Sequence, residues 1–219
     1  MARCYSGAMS QRQPALPAIW LVTDARNDAR LEAALAKLPR GSGLIFRHYH
    51  LAAGERRARF DRLARTARRR GHVVILAGSA QEARRWRADG AYGAPAQMRG
   101  PGLRLVTAHS LAEIAAARRV RADAILLSPA FATRSHPGAR PLGPLRFRLL
   151  AARAGMAVIA LGGMNAPRAR RLGAKRWAAI DGIASCRARP GDEVGSATIS
   201  GFLTRSRPRA HYQREIGGK

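Results

Sequence analysis

Eight short apolar runs, separated by stretches of helical period, constrain this chain more than any other feature. The runs are Ile19–Thr23, Gly43–Arg47, His72–Leu76, a weaker one at Gly90–Tyr92, Leu103–Thr107, Ala124–Leu127, Ala157–Leu161 and Trp177–Ile180. Between them lie amphipathic segments at Leu31–Leu38, Glu55–Arg70, Gln81–Arg87, Leu111–Val120, Leu145–Ala154 and Ala166–Leu172. Alternation of this kind predicts parallel strands joined by crossover helices. Eight strands of this type predict an α/β chain closed as a TIM (β/α)8 barrel. About 165 residues is compact for a fold that usually takes ~250, so the connections must be short.

Local signals support several helix starts. Ser79 stands three residues before Glu82, and Ser110 three before Glu113, both capping-box spacings. Asn165 is placed to cap the next helix, with Pro167 in its first turn. The segment 16–186 reads as one domain. Residues 1–15 and 187–219 read as flexible flanks, the latter rich in Arg, Gly, Ser and Pro with no amphipathic period.

Composition limits the function classes. No run approaches the ~18 apolar residues of a membrane span. The first residues contain no continuous apolar core of a secretory signal. Cys4 and Cys186 match no metal spacing. A cytoplasmic protein with no membrane partner is expected. The net charge of +27 invites a polyanion reading. However, the cations are 37 Arg and 3 Lys, spread along helices such as ARFDRLARTARRRG. Solvated helix faces are the favoured reading over a nucleic-acid surface. A homo-oligomer is left open.

The chemistry gathers where strands end. SPAFATRSHPG follows the sixth apolar run, and ALGGM closes the seventh. In a barrel, the loops after the strands build the site, and the late ones commonly hold a phosphate. The hydroxyls of Thr133 and Ser135 and the N–H groups of Gly162 and Gly163 suit an oxyanion. Ordinary βα turns would use the same residue types. In the second run, Arg47 and Tyr49 should share one face, and His48 and His50 the other. The first pair would line the barrel mouth. The second would need a third ligand to hold a metal, and none is visible.

From Trp20 to Ser185 the chain resembles the thiamine phosphate synthase and TenI family of small TIM barrels. Six segments match in order: WLVTD, GLIFRHYH, VTAHS, SPAFATRSHPG, ALGGM and WAAIDGI. The resemblance implies thiamine biosynthesis: a transferase joining a pyrimidine-methyl diphosphate to a thiazole phosphate, with Mg²⁺ on the diphosphate. It implies that Thr133, Ser135, Gly162, Gly163 and the Asp181–Gly182 loop cradle the thiazole phosphate. Asp181 stands where the family usually has Ser. Arg47 keeps the family's second-strand arginine, with Tyr49 in place of a Lys and Ile45 in place of a Gln. Thr107 and His109 match the fifth-strand hydroxyl and histidine. For His109 a structural role, orienting a loop, is weighed beside the catalytic one. His136 replaces the Lys after the sixth strand. The family's metal carboxylates are missing. Ala77-Gly78 replaces Asn-Asp, and AYGAPAQM carries no Asp. Between His72 and His109 the only acids are Glu82 and Asp89. The tautomerase histidine of TenI is Pro129 here.

Three functions follow as expectations. The first is a synthase-type enzyme using Arg47, Thr107, His109 and His136. The second is a non-catalytic or altered-chemistry binder of a phosphorylated thiazole-like ligand. The third is a basic polyanion-binding protein on a barrel scaffold.

Overall fold

The computed structural model describes residues 16–135, 138 and 140–183. Both flanks, Cys4, Cys186 and His136 lie outside the described residues. The remainder closes into an eight-stranded parallel barrel in strict chain order, with β1 hydrogen-bonded to both β2 and β8. The strands are β1 (Ile19–Val22), β2 (Gly43–Phe46), β3 (Val73–Ala77), β4 (Gly90–Gly93), β5 (Leu103–Ala108), β6 (Ala124–Leu127), β7 (Ala157–Ala160) and β8 (Trp177–Ala179). Each falls within a residue or so of its expected run.

Six α-helices connect them: α1 (Leu31–Lys37), α2 (Ala53–Arg69), α3 (Ala80–Arg85), α4 (Leu111–Arg119), α5 (Gly143–Ala152) and α6 (Ala166–Leu172). A 3-10 turn, Ala25–Arg30, precedes α1. Between β4 and β5 there is only another short one, Pro95–Gln97. That short link is how eight strands fit so few residues. Among the described residues no helix is long and apolar enough to cross a membrane.

Alternation along each strand divides the core in two. Trp20, Val22, Ile45, Ile75, Leu105, Leu126 and Ile159 fill the barrel interior. Leu21, Leu44, Phe46, Val74, Leu76, Val106 and Leu127 point outward beneath the helices. Period-2 side-chain direction requires this division. Burying large side chains on both faces is the main stabilising term, at about 25 cal/mol per Å² of apolar surface.

The helix starts form as expected, with one difference. Ser79 Oγ accepts from Glu82 N at 3.1 Å, and Ser110 Oγ from Glu113 N at 3.3 Å. The reciprocal half of each capping box is absent. Glu113 instead accepts from His109 N, and Glu82 pairs with Arg56. A charged donor and a neighbouring loop N–H outcompete the cap N–H for these carboxylates.

Candidate functional site

The strands' C-terminal ends and the loops that follow surround a cavity of about 1000 Å³. Ten of the eleven residues expected at a site line it: Arg47, Tyr49, Thr107, His109, Thr133, Ser135, Gly162, Gly163, Asp181 and Gly182. The eleventh, His136, lies outside the described residues. Sequence reasoning missed Tyr92, Gln97, Arg134 and Arg168, which also line the cavity. Three arginines (Arg47, Arg134 and Arg168) face one carboxylate, Asp181, across this lining. Such a balance favours an anionic ligand.

The glycine pair is built by close approach of two loops. Ala130 N donates to Leu161 O at 2.8 Å, and Phe131 N to Gly162 O at 3.1 Å. The β6 loop thus lies directly on the end of β7. Gly162 and Gly163 have φ of +94° and +60°. A Cβ at 162 would sit 2.7 Å from Pro129 Cα, and one at 163 would sit 2.4 Å from Ala132 O. Only glycine meets both demands. Among the described residues, no protein acceptor meets the N–H groups of this pair. Arg168 closes the same corner: its Nη1 donates to Gly163 O at 2.5 Å, and its guanidinium lies over the Phe131 ring. Its helix, α6, is capped by Asn165 as expected, at 2.9 Å to Arg168 N.

His109 serves its loop and the cavity together. Its Nδ1 lies 2.6 Å from the Ser128 carbonyl oxygen, which can only accept. Nδ1 therefore carries the proton, and in the neutral ring Nε2 is left as an acceptor.

On the other side of the mouth, β2 stops at Phe46, yet the alternation of its last residues persists. Arg47 and Tyr49 face the cavity, with the guanidinium 5.8 Å from the phenol ring centroid. His48 turns under the barrel wall, buried, with φ of +31°. His48 and His50 do lie together, at 5.0 Å between ring centroids. The partners of His48 are a hydroxyl and a carboxylate. Thr23 Oγ1 accepts from Arg47 N at 2.8 Å and lies 2.7 Å from His48 Nδ1. His48 Nε2 lies 2.7 Å from Asp28 Oδ1. The Thr23 hydroxyl has one proton to give, so Nδ1 accepts it and Nε2 donates to Asp28. Arg59 completes the network with bonds to Asp28 Oδ1 at 2.7 Å and to Glu32. Among the described residues, no group of three or more His, Cys, Asp or Glu could hold a metal ion.

These buried groups set a pH dependence. Burial lowers the His48 pKa below the usual 6.5, and Asp28 only partly offsets it. Burial lowers His72 in the same way, its Nδ1 having no partner. Burial raises the Asp28 pKa, but its hydrogen bonds from His48 and Arg59 outweigh that and hold it below the ordinary 3.8. Below about pH 6.5 an unfolded chain protonates both histidines while the folded one resists. The unfolded state then binds more protons, so stability present above that pH is lost as pH falls. Asp28 adds a second loss at lower pH, below the ordinary carboxylate range. The denaturant midpoint should be lower at about pH 5.5 than at pH 7.5, with a shallower slope for His48→Gln. Equal midpoints at both values would count against this network.

Comparison with known proteins places this architecture. The sequence profile of the thiamine monophosphate synthase (TMP-TENI) family matches residues 19–188. The chain belongs to that family. Its fold is similar to thiamine phosphate pyrophosphorylase from Pyrococcus furiosus: TM-score 0.64, 20% identity, 74% of this chain and 84% of that one. The corresponding protein of Bacteroides thetaiotaomicron gives 0.51, with 15% identity over 75% and 83%. FabK from Thermotoga maritima gives 0.59 at 14% identity, over 77% and 59%. At such identities these likenesses show the barrel and nothing finer. No curated protein sequence matches.

The family resemblance implies a metal-binding carboxylate after β3, where this chain has Gly78. Gly78 has φ of +150°, and a Cβ there would meet Glu82 Oε2 at 2.5 Å. The space a side chain would take at 78 is thus held by the Glu82 carboxylate, reaching back from α3. It carries its own counter-ion. Arg56 of α2 bonds Glu82 Oε1 at 2.9 Å, Ala77 O at 2.7 Å and Arg47 O at 3.2 Å. After β4, Gln97 Oε1 lies over Gly93 in the same manner. Mg²⁺ needs a near-octahedral oxygen array, usually with carboxylates. One carboxylate already neutralised by arginine does not supply it, so these residues do not fit the ion.

Proposed function

We propose that this barrel binds a phosphorylated thiazole at the loops after β6, β7 and β8, and the diphosphate of a pyrimidine-methyl substrate beside Arg47. The observation that carries this reading is the cavity lining: among the described residues, three arginines against one aspartate, beside a glycine pair whose N–H groups meet no protein acceptor. Family membership supports this choice of substrate class. In the condensation, the thiazole nitrogen forms a bond to the pyrimidine methylene. The methylene–oxygen bond breaks, and diphosphate leaves with the electron pair. The Arg47 guanidinium stabilises the charge gathering on that leaving group. Tyr49, against Arg47, bounds the same pocket. His109 and Thr107 line the space between the two ends.

A second reading, a binder that does not condense its ligands, is favoured by the filled carboxylate position at Gly78. Incubating the protein with both substrates, with Mg²⁺ or with a chelator, separates the two. The expected result is thiamine phosphate formed at the same rate in both. Tight thiazole phosphate binding without product would establish the binder. No binding of thiazole phosphate would sink both readings.

A further inference from the structure

Arg26 has no part in the reading above, yet it joins three loops at the phosphate end. It stands in the turn after β1, and its Nε bonds Asp24 Oδ1 at 2.9 Å. Its Nη2 donates to Ser135 Oγ in the β6 loop at 2.8 Å. Its Nη1 lies 3.8 Å from Asp181 Oδ2 in the β8 loop. Ser135 and Asp181 both line the cavity beside the glycine pair.

Each contact has a consequence for an anion. A hydroxyl that accepts from a guanidinium keeps its own proton free, and that proton must point to another acceptor. Arg26 thus orients Ser135 as a donor. Asp181 is half-exposed, and a carboxylate beside a phosphate repels it. Asp181 caps no described helix. Its described counter-ion is Arg26, shared with Asp24.

We propose that Arg26 is a positioning residue for phosphate: it aims the Ser135 proton at the ligand and cancels the charge of Asp181. The acidic residue in the last loop is then tolerated because a cation from the first loop lies against it. This inference rests on the thiazole phosphate reading above.

The test is a double-mutant cycle on the full chain, titrated with thiazole phosphate and with the unphosphorylated thiazole alcohol. Arg26→Ala should weaken the phosphate ester about tenfold or more and leave the alcohol unchanged. Asp181→Ser should bind the ester as well as the natural chain or better. The double variant should recover most of the loss. Arg26→Lys, which keeps the charge on an exposed side chain, should retain part of the affinity in a fully folded protein. Natural affinity in Arg26→Ala, or a double variant as weak as the single, overturns the proposal. If the natural chain binds no thiazole phosphate, the reading above falls and takes this one with it. If it binds and the variants misbehave, only the role of Arg26 falls.

Discussion

Gly163→Ala will lower the melting temperature and remove thiazole phosphate binding together. The added Cβ would lie 2.4 Å from Ala132 O, 3.1 Å from Arg168 Nη1 and 3.2 Å from Phe131 Cβ. An arginine tip can swing aside, but Ala132 O is backbone. That backbone belongs to a loop pinned to β7 by two hydrogen bonds. Strain at φ of +60° adds to the clash. Together these should cost about 2–4 kcal/mol, or roughly 5–15 °C for a domain of this size. The loop can relieve the clash only by moving away, which pulls Thr133 and Ser135 from the cradle. A thermal melt and a thiazole phosphate titration check both halves. An unaltered melt with intact binding would show that the two loops are not in the contact described.

The second large effect concerns turnover. Arg47→Ala should reduce thiamine phosphate formation by at least about 100-fold, the usual scale for removing a donor to developing negative charge. Thiazole phosphate binding should be spared. The substitution is structurally mild, because the contacts that fix this position are backbone ones. Arg47 N donates to Thr23 Oγ1, and Arg47 O accepts from Arg56. Neither uses the side chain that is removed. Steady-state turnover with a parallel titration is the measurement. Turnover equal to the natural chain's would place the diphosphate elsewhere.

The barrel was legible in the sequence because strand and helix signals are local. Ala124–Leu127 and Trp177–Ala179 announce themselves as short apolar runs, and Ser79, Ser110 and Asn165 as caps. Ten of the lining residues were legible for the same reason, because they stand at the ends of those runs or in the loops that follow; Tyr92, Gln97, Arg134 and Arg168 were not. What reaches across the barrel was not. Arg26 and Ser135 are 109 positions apart, and nothing beside either one announces the pair. His48 presented itself as half of a histidine pair, and its true partners, Thr23 and Asp28, lie on another strand and its loop. Glu82 carried a correct local signal, the cap spacing. Its carboxylate was then claimed by Arg56, 26 positions earlier.

That last contact also ties position 78 to the arginine that braces this side of the mouth. An aspartate placed at position 78 would need φ of +150° and would bring its Cβ against Glu82 Oε2. The Glu82 carboxylate can swing aside, but doing so draws it from Arg56, whose other bonds are to Ala77 O and Arg47 O. A substitution at 78 would in this way be felt beyond Arg56, at the backbone of Arg47 on the neighbouring strand's end.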